Sequence, residues 1–115
     1  MRERTEHIMK DQAPGPGAMV TGLAWYRREQ WARLREISED VGELEDTYDE
    51  WLASATRVLR ELRRSGAGVR KVDVDVEDLL GWCNERGRPV NGASRANYVA
   101  EKMRRKAVKR GERHP

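Results

Sequence analysis

The stretch Val69-Arg70-Lys71-Val72-Asp73-Val74-Asp75-Val76-Glu77-Asp78-Leu79-Leu80 changes its apolar period part-way along. Val72, Val74 and Val76 alternate with Asp73 and Asp75, the two-residue repeat of a strand. From Val76 onward Leu79, Leu80 and Cys83 or Trp82 follow a helical spacing instead. Asp75 stands where a helix N-cap is preferred, with Asp78 three residues on. The reading is a short strand over residues 70–75, a helix over 76–86, and a stop at Gly87. A lone strand leaves backbone donors and acceptors unmatched along both edges. The N-terminal leader can pair with it, a second copy can pair through Val72, Val74 and Val76, or the segment is an extended linker.

Upstream, Leu44, Tyr48, Trp51, Leu52, Ala55, Val58, Leu59 and Leu62 keep a helical period and predict a helix over 44–64. Its acids (Glu43, Glu45, Asp46, Asp49, Glu50) crowd the start and its arginines (Arg57, Arg60, Arg63, Arg64) the end, which complements the helix dipole. Ser65-Gly66-Ala67-Gly68 closes it. Further upstream, Trp31, Leu34 and Ile37 predict a helix over 28–37, with Tyr26 placed to fix its approach. Downstream, Val90 and Asn91 stand before a helix over 92–109, whose apolar stripe is Ala93, Ala96, Ala100, Met103 and Ala107. The fold class is therefore mainly α, with about four helices and one short β-strand at residues 70–75 between the second and third. The domain reading is a disordered leader at 1–21, a single helical domain at 22–110 and a flexible tail at 111–115. Pro14-Gly15-Pro16-Gly17 interrupts any regular element, and Met19 follows directly, as expected if residues 1–18 extend a shorter chain upstream.

The strand-helix-helix order of residues 69–110 resembles the ribbon-helix-helix fold of bacterial DNA-binding dimers. Val72 to Leu80 matches its strand-to-helix junction, Gly87 its inter-helix turn, and Ser94-Arg95 the start of its second helix. The resemblance implies strand pairing across a two-fold axis and insertion of the strand into the major groove. The groove-facing residues would be Lys71, Asp73 and Asp75, and two carboxylates there oppose the electrostatic attraction to phosphate.

Charge is segregated along the chain. The net charge is +3, yet residues 102–115 hold seven basic residues against Glu112 alone, which is +6 and leaves −3 for residues 1–101. Arg95, Lys102, Arg104, Arg105, Lys106, Lys109 and Arg110 are the candidate nucleic-acid-binding residues, through salt-dependent contact with phosphate. No aromatic residue follows Tyr98, so base stacking cannot come from this tail.

Chemistry-bearing residues are sparse. His7 and His114 lie in the terminal segments and Cys83 is the only cysteine, which removes intramolecular disulfides and Cys/His metal or nucleophile pairs. Asp73, Asp75, Glu77 and Asp78 have the spacing of a calcium loop, but Asp78 holds its glycine position and Asn84 its closing glutamate position. Gly66-Ala67-Gly68 precedes a strand rather than the helix a phosphate loop needs. No catalytic, cofactor-binding or metal-ligating residue is assigned, and no cofactor is expected. No apolar run reaches the roughly 18 residues of a membrane span, and the charged N-terminus is no secretory signal.

Trp25, Tyr26, Trp31, Tyr48 and Trp51 read as an aromatic core, with Trp25 and Tyr26 as candidate anchors for a protein partner. Gly22-Leu23-Ala24-Trp25-Tyr26, Glu29-Gln30-Trp31 and Leu44 to Leu52 together resemble a set of short uncharacterised bacterial proteins. That resemblance implies a bacterial, cytoplasmic origin and no particular activity. The functional expectation is a non-enzymatic protein-interaction or regulatory module that forms a homodimer. The alternative is nucleic-acid binding by the basic C-terminal helix.

Overall fold

Val72 and Val74 are buried and Lys71 and Asp73 exposed, as a strand with one face inward requires. A computed structural model of the chain describes residues 12–14 and 20–109, with side chains for 20–106. The leader residues 1–11 and 15–19, and the tail from Arg110 on, lie outside the described residues. Among the described residues the architecture is mainly helical, with four α-helices. It carries β1 (Gln12–Pro14), β2 (Val20–Trp25), α1 (Trp31–Ile37), α2 (Tyr48–Arg64), β3 (Gly68–Asp73), α3 (Val76–Glu85) and α4 (Gly92–Lys109). Among the described residues, no helix is long and apolar enough to cross a membrane.

The expected single strand gives way to a three-stranded sheet of order β1-β2-β3. β2 runs parallel to β3, from Val20 opposite Gly68 to Trp25 opposite Asp73, and antiparallel to β1. The reading missed β2 because Gly22 and Ala24, on one of its faces, have too little side chain to display an alternation. Gly22 is small for a reason: a Cβ there would meet Met103 Sδ, and would lie 2.9 Å from Val99 Cγ1 of α4. The other face of β2 presents Leu23 to Val58 and Leu59 of α2. The sheet is thus layered between α2 and α4.

This layering corrects the placement of Val72, Val74 and Val76. Their side chains are 2%, 1% and 0% exposed, inside the chain's own core, and Val76 belongs to α3 rather than to the strand. The inner edge of β3 is filled by β2 of the same chain. A dimer that uses β3 must therefore do so through the other edge.

Helix boundaries follow capping more than apolar period. α2 starts at Tyr48 instead of Leu44, because Thr47 Oγ1 accepts from Glu50 N (3.1 Å) while Glu50 Oε1 accepts from Thr47 N (3.3 Å). Asp75 caps α3 at 3.0 and 3.1 Å, and Gln30 Oε1 accepts from Val76 N at 2.9 Å. Asn91 caps α4 by accepting from Ser94 N at 3.0 Å. The buried stripe of α4 is rotated from the small-residue stripe expected there. It comprises Arg95, Tyr98, Val99 and Met103, with Ala96 and Ala100 only half-buried and Ala93 exposed.

Candidate functional site

The residues expected to meet partners are largely spent on the fold. Tyr26 is 1% exposed in the aromatic core, so it is no surface anchor. Its carbonyl accepts from Tyr48 Oη at 2.9 Å. Trp25 is half-buried, edge-on to Trp51 at 5.2 Å, and Lys71 Nζ covers its ring at 4.4 Å. The sequence placed both residues just before a helix, whereas Trp25 ends β2 and its neighbour turns inward.

Arg95 is the larger correction. Its side chain is 2% exposed and its guanidinium is bonded at 3.0 and 2.8 Å to the two carboxylate oxygens of Asp40. Asp40 also accepts from Gly92 N at 3.0 Å, and Glu39 from Asn91 Nδ2 at 2.9 Å. The segment after α1 therefore clamps the start of α4. Burial pushes the Asp40 carboxyl upward, but the Arg95 hydrogen bonds and charge outweigh it and hold the group below its ordinary range. Arg95 cannot reach a phosphate from this position. Lys102 is also engaged, donating to the Asp73 carbonyl at 2.8 Å. Of the seven candidates, Arg104, Arg105 and Lys106 stand exposed on α4, with Arg105 paired to Glu101 at 2.6 Å. The Lys109 side chain and Arg110 lie outside the described residues.

The groups able to do chemistry are similarly tied. Cys83 is fully buried, and burial raises its thiol pKa, which suppresses the reactive thiolate. Tyr98 donates to Asp78 Oδ2 at 2.6 Å, and burial with that carboxylate pushes the phenol strongly upward. Between α3 and α4 lies an open cleft of about 300 Å³, lined by Glu77, Asp78, Trp82, Glu85, Arg86 and Arg105. At its margin Glu101 accepts from Trp82 Nε1 at 3.1 Å, while Arg86 covers the Trp82 ring at 4.3 Å. Among the described residues, no group of three or more His, Cys, Asp or Glu side chains is placed to hold a metal ion.

What sequence reasoning passed over is the outward face of α2. Arg27, Arg28, Arg33, Arg35, Arg86, Arg95 and Arg105 each have a carboxylate within ion-pair reach. Arg57, Arg60, Arg63 and Arg64 have no such partner among the described residues. At 3.6 residues per turn they fall within an arc of roughly 120°, opposite the buried Ala55, Val58 and Leu59. The dipole of α2 accounts for Arg63 and Arg64 in its last turn, but Arg57 and Arg60 lie beyond its reach. The same face carries Asp49, paired to Arg28 at 2.9 Å, and Glu50 at the other end, with the exposed Ala53 between. An acid-to-base stripe about 22 Å long results. A residue-by-residue search of the sequence for arginines with no acid at i±4 finds Arg60, which lies between Thr56 and Arg64, whereas Arg57 has Glu61 at i+4.

No family model, no curated protein and no solved structure matches the chain.

Proposed function

We propose that the chain is a non-enzymatic interaction module of the bacterial cytosol, one that holds a protein partner against the outward face of α2. The observation that carries this reading is the bipolar stripe running from Asp49 and Glu50 through Ala53 to Arg57, Arg60 and Arg64. A partner segment of opposite polarity matches both ends, and the small Ala53 lets it approach closely at the middle. A nucleic acid, uniformly negative, finds no match in the half that carries Asp49, Glu50 and the Arg28 ion pair. Guanidinium groups also suit such an interface because each can pair with a carboxylate in bidentate geometry.

Charge reversal tests the reading without touching the core. Arg57→Glu with Arg60→Glu alters exposed or half-exposed positions clear of the last turn, where surface changes cost about 0.5 kcal/mol or less. The double variant is expected to fold with the native far-ultraviolet spectrum. It should also lose the partner that the wild-type chain recovers when cross-linked in source cells. Equal recovery of that partner by both proteins refutes the proposal.

A second reading rests on the exposed Arg104 and Lys106, which have no ion pair among the described residues and point toward nucleic-acid binding by the C-terminal helix. It takes affinity for duplex DNA to fall steeply with salt and to vanish on truncation after Met103, read by fluorescence anisotropy. Binding that survives the truncation rejects it.

A further inference from the structure

β3 is the last strand of the sheet, and among the described residues no strand lies beside its outer edge. The direction of each backbone group there is fixed by one contact. Val74 N donates to Trp25 O at 3.0 Å, so Val74 and Val72 direct their backbone groups toward β2. Backbone groups alternate sides along a strand, so those of Lys71 and Asp73 face the open edge. Consistently, the Asp73 carbonyl is reached from outside by Lys102 Nζ. The side chains of Lys71 and Asp73 are exposed, two residues apart on one face of the sheet, and opposite in charge.

We propose that this edge pairs antiparallel with β3 of a second copy, with Val72 on the two-fold axis. In that register Lys71 of each copy lies opposite Asp73 of the other, so two cross-strand ion pairs form and backbone groups pair at the same two positions. Charge selects this register over its neighbours. Centring on Lys71 sets lysine against lysine, and centring on Arg70 sets arginine against arginine. The Asp73 carbonyl keeps its bond to Lys102, because a carbonyl oxygen has two lone pairs. The two sheets join into one of six strands, and both α2 helices lie on the same side of it. This inference concerns a surface separate from the outward face of α2 and stands apart from the proposed function.

Sedimentation equilibrium of wild type, Lys71→Asp, Asp73→Lys and an equimolar mixture of the two variants tests it. Wild type is expected to be a dimer in the micromolar range. Each variant alone sets like charges opposite one another twice and is expected to be monomeric at the same concentration. The mixture restores both ion pairs and is expected to regain the dimer, a recovery that a misfolded variant cannot show. Monomeric wild type, single variants that dimerise as wild type does, or a mixture that stays monomeric each overturn the proposal. The Arg57→Glu, Arg60→Glu protein should dimerise unchanged, which separates this result from that of the α2 interface.

Discussion

Replacing Trp51 with alanine is expected to lower the unfolding free energy by about 3–5 kcal/mol, the range for emptying a buried indole site. Trp51 is 6% exposed and its ring lies 5.2 Å from Trp25, 5.3 Å from Tyr26, 5.7 Å from Trp31 and 5.3 Å from Tyr48. These partners come from β2, the segment after it, α1 and α2 itself. One side chain therefore joins the sheet to two helices. Each aromatic pair adds about 0.5–1.5 kcal/mol beyond the area it buries, so several are lost together. A domain with a total stability of about 5–15 kcal/mol gives up a large share of it. Urea unfolding followed by far-ultraviolet dichroism measures the loss. A change below about 1 kcal/mol contradicts a central Trp51.

The Arg95→Leu variant is expected to cost about 3–5 kcal/mol at neutral pH, because it leaves the Asp40 carboxylate without its charge partner. The double variant Asp40→Leu, Arg95→Leu should lose less than the arginine variant alone, since neither charge is then stranded. Acid titration adds a second signature. The Asp40 carboxyl is held below its unfolded value, near 4, so its stabilisation is complete above that value. It is lost as pH falls through the depressed folded value. Without Arg95 the upward push of burial is left on Asp40, so its share of the acid destabilisation should vanish or change sign. An unchanged acid profile in the Arg95→Leu protein excludes the clamp.

The helices were legible where a cap marks the start. α4 has the bounds 92–109 that Asn91 and the chain pattern indicate, and α3 ends one residue before the reading placed its end. The start of α2 departs from the reading because Leu44 is apolar and buried yet outside the helix, while Thr47 supplies the cap. Arg95 shows a different difficulty. Beside six other cations it reads as part of a basic tail, although Val99 and Met103 at i+4 and i+8 place it on the inward face. β2 was hidden by Gly22 and Ala24, and the size of Gly22 is dictated by a helix some eighty residues later. The bipolar stripe on α2 was visible as a charge gradient, and the missing carboxylate partners together with the placement of Arg57 and Arg60 before the last turn separate it from a dipole effect.

The parallel register between β2 and β3 sets an order of events during synthesis. Val20 meets Gly68, forty-eight positions later, and Trp25 meets Asp73 at the same separation. At about 5–20 residues per second, β2 leaves the ribosome seconds before its partner exists. α1 and α2 can form in that interval because their contacts are local, whereas the β2–β3 pairing must await a long loop closure. The nascent β2 carries Leu23, Ala24 and Trp25 unshielded meanwhile, and α2, through Val58 and Leu59, is the first element able to cover Leu23.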